Sequence, residues 1–150
     1  MLRSAVSLAV AALIIGVCSA SAQTTAAPAA KFFDKAQVAQ ALKAGGLIYD
    51  GKFFRAQISQ RSEPGQVELH QKDTDVFYIV SGSATIVTGG TMVGGKPAGP
   101  GEIRGTSITG GESRSVAAGD VVVIPDNLNH WWKEVHQPLF YFVVKEVTGK

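Results

Sequence analysis

Four side chains able to bind a metal ion lie at strand-like spacing in two segments of this chain. Glu68 and His70 are two residues apart, and Asp75 follows shortly after them. His130 lies in a second segment, which begins at Gly119. Because residues two apart on a strand point to the same face, these carboxylates and imidazoles can converge if the faces line a barrel interior. We therefore predict one divalent ion bound by Glu68, His70, Asp75 and His130, each roughly 2.0–2.2 Å from it.

The same alternation places further side chains beside the predicted metal site. Phe77 shares a face with Asp75, and Trp132 and Glu134 share a face with His130. Trp132 could stack on a ligand, and Glu134 could act as an acceptor or proton carrier. Phe77, Trp132 and Glu134 are therefore candidate ligand-pocket residues. The alternatives are that Trp132 belongs to the core and that Glu134 is a surface acid at a strand end.

The elements that would position these residues are short β-strands. From Leu47 onward, runs of β-branched and aromatic residues alternate with Gly, Pro, Asn and Asp clusters. This pattern predicts an all-β sandwich or barrel. Ser81-Gly82-Ser83 predicts a tight hairpin, and Asp73 is interpreted as a turn residue. The predicted strands cover residues 47–49, 53–59, 67–70, 76–80, 84–88, 121–124, 131–135 and 139–147.

One short helix is predicted before the strands. Asp34 and Gln37 have the spacing of a capping box, and Phe33 and Val38 occupy the positions of a hydrophobic staple. The pair Gly45-Gly46 ends the helix. We expect this helix to pack on the outside of the β-domain.

The first 22 residues have the features of a secretory signal peptide. Arg3 precedes an apolar run, and Ala20-Ser21-Ala22 provides a small-residue cleavage site. Cys18, the only cysteine, would be removed with it, so the exported chain would lack disulfides. A retained anchor helix and a lipidated Cys18 are the alternatives. We expect export to the periplasm or the extracellular space, with a signal peptide over 1–22, a flexible leader over 23–32 and one domain over 33–150.

One glycine-rich segment, residues 89–112, interrupts the regular spacing of strands. It contains nine glycines and two prolines and has only weak strand signals. Loops of this length are usually functional or disordered. Two interpretations remain open at this point, a flap over the mouth of a cavity and a flexible surface hairpin.

The two metal-site segments together resemble the paired motifs of the cupin superfamily. Glu68-x-His70-x4-Asp75-x6-Gly82 has the spacing of the family's His-x-His-x4-Glu-x6-Gly, and Gly119-x5-Pro125-x-Asn127-x2-His130 has that of Gly-x5-Pro-x-Gly-x2-His. Residue type differs from the family's pattern at Glu68, Asp75 and Asn127. The resemblance covers roughly residues 50–147. It implies a jelly-roll barrel, the double-stranded β-helix, with a metal near its centre.

The resemblance implies a binding site for a small organic molecule inside the barrel. Two histidines with one or two carboxylates are similar to the 2-His-1-carboxylate set that suits Fe(II), with Mn, Zn and Ni as further possibilities. A catalytic protein of this kind would carry out metal-assisted oxidation or isomerisation. The alternatives are a non-catalytic ligand-binding or sensing module and a structural domain that forms a homodimer. In a barrel without metal, Glu68 would pair with Lys72 or Arg55, and His70 with Asp75.

Other classes of chemistry are not indicated by the sequence. There is no Gly-x-Ser-x-Gly elbow, no phosphate-binding loop and no dinucleotide fingerprint, and no Ser or Cys nucleophile with a positioned base is visible. The formal net charge is only +2 and no basic run is present. We therefore expect no nucleic-acid partner and, after signal cleavage, no stable membrane span.

Overall fold

Strands make up most of the described chain, and every strand pairing is antiparallel. The computed structural model describes residues 29–147, and the residues from Phe33 onward form one compact unit. The predicted signal peptide and most of the predicted leader lie outside the described residues. The elements are α1 (Lys35–Ala44), β1 (Gly46–Asp50), β2 (Phe54–Arg61), β3 (Val67–His70), β4 (Asp73–Thr88), β5 (Thr91–Val93), β6 (Lys96–Gly99), β7 (Glu102–Gly105), β8 (Ser107–Thr109), β9 (Glu112–Ala117), β10 (Val121–Ile124) and β11 (His130–Val147).

The two longest strands, β4 and β11, pair along their whole length and form the centre of the sheet. On the free side of β11 lie β2 and β3, and on the free side of β4 lie β10 and β9. The sheet continues from β2 to β1, and from β3 to β7 and β6. The predicted all-β class with one short helix is therefore confirmed.

The predicted hairpin at Ser81-Gly82-Ser83 is wrong, because β4 continues through these residues without interruption. Gly82 has φ +84, and a Cβ built on it would lie 2.0 Å from the backbone oxygen of Pro138. The glycine thus lets β4 bend where it crosses β11. The buried side chains are at odd-numbered positions before this bend, such as Phe77 and Ile79, and at even-numbered positions such as Ala84 just after it. One strand can therefore line two walls of the barrel.

The core lies between the walls that β4 and β11 form. Its residues are aliphatic and aromatic, and fully burying one such side chain stabilises a fold by about 1.5–3 kcal/mol. The packed cluster consists of Phe77, Ile79, Ala84, Ile86, Val116, Ile124, Trp132, Leu139, Tyr141 and Val143.

The predicted helix begins and ends where its caps indicate. Asp34 accepts hydrogen bonds from the backbone N–H groups of Ala36 and Gln37, both at 2.8 Å. The side chain of Gln37 accepts one from the backbone N–H of Asp34 at 2.9 Å, which completes the capping box. Gly45 follows the last helical residue with φ +68. No residue of α1 is buried, so the helix contributes little to the core.

The glycine-rich segment is built of strands rather than being a flexible loop. β5 pairs with β8, and β6 pairs with β7. β7 then pairs with β3, which joins this segment to the main sheet. The segment therefore contains a two-stranded sheet of its own, β5 and β8, and two strands that extend the main sheet, β6 and β7.

The outer face of β4 and β10 carries exposed apolar side chains. Tyr78 and Val80 on β4 are 48% and 37% exposed, and Val121 and Val123 on β10 are 60% and 55% exposed. Their strands are neighbours, with Val121 paired to Tyr78. Within residues 29–147, no helix is long and apolar enough to cross a membrane.

Candidate metal centre

Three of the predicted ligands place their side-chain atoms around one buried point. His70 Nε2 lies 3.4 Å from Glu68 Oε2, and His130 Nε2 lies 3.8 Å from the same oxygen. The donor atoms of Glu68, His70 and His130 all lie within 4.8 Å of one another. His70 is 9% exposed and His130 is 1% exposed. The geometry therefore allows all three residues to bind one ion.

Strand pairing explains why these three residues meet. Glu68 and His70 alternate on β3, and His130 at the start of β11 pairs directly with Glu68. The other ring nitrogen of His130, Nδ1, lies 3.4 Å from the carbonyl oxygen of Leu128. This contact directs Nε2 of His130 toward Glu68 and His70.

The chemistry of the donor set fits a divalent first-row metal. Nε2 of His70 and Nε2 of His130 are buried and make no well-formed hydrogen bond within residues 29–147. Both nitrogens lie 3.4–3.8 Å from carboxylate oxygens, longer than a strong hydrogen bond, and coordination of a cation would satisfy both nitrogens and the carboxylate at once. Two imidazoles and one carboxylate match the preferences of Fe(II), Mn, Zn and Ni.

Asp75, the fourth predicted ligand, is held differently from the other three. Its Oδ2 lies 3.4 Å from His70 Nε2 and 3.8 Å from His130 Nε2. Its Oδ1 lies 2.5 Å from the Nζ of Lys145. The structure thus brings Asp75 close to both imidazoles, but Asp75 is outside the group of three residues whose donor atoms all lie within 4.8 Å of one another.

A cavity of about 880 Å³ opens beside this point. Two of the predicted pocket residues, Phe77 and Trp132, contribute to its wall. Phe77, Trp132 and Tyr141 pack on one another with ring centroids 5.4–5.5 Å apart and give the cavity an aromatic floor. The charged residues that line it are Arg55, Arg61, Lys72, Arg104 and Lys145, with Glu68, Asp73, Asp75 and Glu102.

Solved structures share this arrangement of strands. The chain superimposes on the protein BH2720 of Bacillus halodurans with a TM-score of 0.56 and 10% identity, over 79% of this chain and 83% of that one. It also superimposes on the cupin domain of Schizosaccharomyces pombe Cnp3, with a TM-score of 0.51 and 9% identity, over 69% and 63% of the two chains. The chain has the cupin fold. KdgF from Halomonas sp. is a third such structure, with a TM-score of 0.51, 14% identity and coverage of 71% and 79%. No protein-family model and no curated protein matches the sequence.

The predicted resemblance is thus confirmed for the jelly-roll fold, and one of its departures has a local explanation. Asn127, which stands where the cupin motif has glycine, has φ +58. Asparagine tolerates this left-handed conformation better than other side chains do. Its backbone N–H donates a hydrogen bond to the backbone oxygen of His70 at 2.7 Å, and its side-chain amide donates one to the backbone oxygen of Gln71 at 3.1 Å. The turn therefore ties down the end of β3, which carries His70.

Glu134, the third predicted pocket residue of this cupin barrel, lies outside the cavity. Its side chain is 52% exposed and accepts a hydrogen bond from Thr85 at 3.2 Å. The register of β11 against β4 shifts between Trp132 and Glu134. This irregularity ends the simple alternation, so Glu134 does not share the face of His130.

The charged groups of the metal centre perturb one another's pKa values. Burial lowers the pKa of His70, but interactions with Asp75 and Glu68 outweigh it and raise the pKa to about 9. Burial also lowers the pKa of His130, and Glu68 and Asp75 only partly offset this. Burial raises the pKa of Glu68, but His70, His130 and Arg104 bring it below its ordinary value. Without metal, the cupin centre therefore holds one proton, on His70, between ionised carboxylates.

This proton predicts how the stability of the metal-free cupin barrel depends on pH. Folded His70 binds its proton more tightly than unfolded histidine, whose pKa is 6.5. The free energy of unfolding should therefore fall as pH rises from 6.5 to about 9, by up to about 1.4 kcal/mol per pH unit. As the pH falls below 6.5, the free energy of unfolding should also decrease, because the pKa of His130 is lower in the folded protein than in the unfolded chain.

Urea unfolding in the presence of a chelator measures both limbs of this profile. The variant His70→Gln should lose the alkaline limb and keep the acid one. An unchanged alkaline limb in that variant would contradict the assignment of the proton to His70.

Sequence reasoning missed the cations that hold the acidic ligands. Arg104 on β7 donates to Glu68 Oε1 at 2.7 Å and also contacts Glu102. It comes from the glycine-rich segment, in which no strand pairing to β3 was predicted. For a barrel without metal, we predicted Lys72 or Arg55 as the partner of Glu68. The cation that pairs with Glu68 in the structure is Arg104.

The interpretation of Asp73 as a turn residue is wrong. This residue begins β4, lines the cavity and lies 3.4 Å from Arg55. It is two residues before Asp75, so strand alternation could have placed both acids on one face.

Proposed function

We propose that this chain is an exported metalloprotein that binds one divalent ion with Glu68, His70 and His130. We propose further that it acts on a small organic molecule held in the cavity beside that ion, by metal-dependent oxidation or isomerisation. The observation that carries the proposal is the convergence of three buried donor atoms at the wall of a cavity of about 880 Å³. Export rests on the signal-like first 22 residues.

A bound divalent ion would supply Lewis-acid polarisation of the organic molecule or activation of dioxygen or water. The chain's own residues do the rest. Phe77, Trp132 and Tyr141 offer aromatic surface for the body of the molecule and exclude water from it. Asp75 is the acidic group placed to accept a proton, since Lys145 holds Oδ1 while Oδ2 faces the centre. Its pKa is raised by burial but brought below the ordinary value by His70 and Lys145, so it is an ionised acceptor at neutral pH.

Turnover by the metal-loaded protein tests this proposal. Oxygen uptake and solvent-deuterium incorporation should be followed with a panel of phenols, diketones, sugars and small organic acids. We expect Asp75→Asn to lower the rate about 10²- to 10⁴-fold while one equivalent of metal remains bound. The control is His136→Ala, a histidine that is half exposed on the outer surface. Retention of full activity in the Asp75 variant would remove Asp75 from the mechanism.

A second candidate is a non-catalytic binding module. The observation in its favour is that Arg104 and Lys145 neutralise Glu68 and Asp75 without any metal. Ligand binding with no turnover across the panel, at full metal occupancy, would favour this candidate over the enzyme.

We propose that two copies associate through the apolar outer face of β4 and β10. Tyr78, Val80, Val121 and Val123 form a contiguous exposed patch there, and such patches mark interaction sites. The molar mass in solution, compared with that of Tyr78→Lys, measures this association.

A further inference from the structure

We infer that the cavity holds a carboxylate group of its organic ligand at Arg61, on the wall formed by β2. This inference deepens the proposed function by naming the chemical class of the ligand, a small organic acid with a flat apolar body. It rests on three observations, namely the free state of Arg61, the charge of the cavity and the position of Arg61 relative to the metal centre.

Arg61 differs from the other cations that line the cavity. Arg55, Arg104 and Lys145 each contact an acidic side chain. Lys72 also has an interaction partner. Arg61 lines the cavity too, but among residues 29–147 no acidic side chain forms an ion pair with it, although its Nε, like that of Arg55, has no hydrogen-bond partner. A guanidinium without an acidic partner at a cavity wall can bind a carboxylate of the ligand with matching, bidentate geometry.

The charge of the cavity favours the same class of ligand. Five basic and four acidic side chains line it, which leaves one positive charge in excess. A divalent ion would add two more, so the loaded cavity attracts anions. The neighbours of Arg61 on this wall are Ser59 and Gln57, which alternate with it along β2 and add neutral polar groups.

The position of Arg61 allows one small molecule to reach both it and the metal centre. Its guanidinium lies against Gly65, because a Cβ built on Gly65 would be 2.6 Å from Arg61 Nη1. The backbone N–H of Gly65 donates a hydrogen bond to the backbone oxygen of Trp132 at 2.9 Å. This bond holds the segment between β2 and β3 beside the aromatic floor. Glu68 is the third residue after Gly65, so their Cα atoms are at most about 10 Å apart. A flat organic acid can therefore lie on Trp132 with its carboxylate at Arg61 and its other end at the metal centre.

Titration calorimetry with benzoate tests the inference, with benzamide as the neutral probe of the same shape. We expect Arg61→Met to weaken benzoate binding about 10- to 100-fold, the loss expected for one charged hydrogen-bonded pair. The matched control is Arg114→Met, since Arg114 is exposed and paired with Glu112 on the outer surface. Benzamide should bind more weakly than benzoate to the wild type and should be unaffected by Arg61→Met.

A second variant keeps the test independent of the stability of Arg61→Met. Gly65→Ala leaves the charge in place but must displace the Arg61 guanidinium, and Gly65 has no left-handed backbone conformation that would resist the substitution. It should also weaken benzoate binding. Unchanged benzoate affinity in both variants, or no saturable binding of acetate, succinate or benzoate by the wild type, would overturn the inference.

The same titration after treatment with a chelator separates this inference from the proposed function. Benzoate binding that survives metal removal and still depends on Arg61 supports the carboxylate site, even where the protein proves to bind no metal. Benzoate binding that disappears with the metal and ignores Arg61→Met overturns the carboxylate site and leaves the metal centre intact.

Discussion

Replacement of both His70 and His130 by alanine should abolish stoichiometric binding of a divalent ion. These residues supply two of the three donors that converge in the structure, and both donor nitrogens are buried without well-formed hydrogen bonds. The remaining carboxylates, Glu68 and Asp75, already contact Arg104 and Lys145. We expect a loss of affinity for Zn²⁺ or Mn²⁺ of at least about a thousandfold, measured by calorimetry on chelator-treated protein.

The control for this prediction is the remaining histidine. His136 is half exposed and its Nε2 lies 3.0 Å from the hydroxyl of Thr85, away from the metal centre. His136→Ala should therefore bind the ion as the wild type does. Retention of the ion by the double variant, with circular dichroism showing a folded barrel, would refute the assignment of the site.

Replacement of Gly82 by alanine should have the largest effect on stability. The new Cβ would lie 2.0 Å from the backbone oxygen of Pro138, in a backbone conformation with φ +84. Backbone atoms on both strands would have to move, at the point where β4 bends across β11. We expect the free energy of unfolding to fall by about 4 kcal/mol or more, or the protein to fail to fold. Urea unfolding measures this loss.

Gly89→Ala separates the steric contact from the backbone conformation. Gly89 has a similar φ of +73, but a Cβ built on it meets no atom within 4 Å. It should therefore cost only about 1–2 kcal/mol, the ordinary penalty of a left-handed alanine. Equal losses in the two variants would show that the close approach of β4 to β11 does not matter for stability.

The alternation of side chains explains which parts of the site could be predicted from the sequence. Glu68 and His70 share a face because β3 is short and regular, and Asp75 and Phe77 share one because the first half of β4 is regular too. The capping box of α1 depends only on neighbouring residues and was predicted for the same reason. Local rules were reliable wherever the strand had no irregularity.

Two of the errors, the hairpin at residues 81–83 and the position of Glu134, arise where a strand bends or its register shifts. Ser81-Gly82-Ser83 has the composition of a hairpin, but the partner that passes above Gly82 is Pro138, which is distant in sequence. Glu134 lies outside the cavity because a register shift precedes it on β11. Both features depend on contacts between strands, so alternation along a single strand could not predict them.

The cations of the cavity could not be predicted for a related reason. Arg104 reaches Glu68 only because β7 pairs with β3, and β7 lies in a segment whose glycines mask its strand pattern. Lys145 reaches Asp75 because the two residues pair across β11 and β4. The metal donors could be identified from their types and spacing, but their neutralising partners required the fold.

The most direct test of the metal centre is a crystal structure of the protein soaked in Zn²⁺ or Mn²⁺, with anomalous scattering measured at the metal's absorption edge. A single strong peak is expected roughly 2.0–2.2 Å from Nε2 of His70, Nε2 of His130 and a carboxylate oxygen of Glu68. If saturating metal gave no anomalous peak among these atoms, and His70 still contacted Glu68 and Asp75, the assignment of the metal centre would be contradicted.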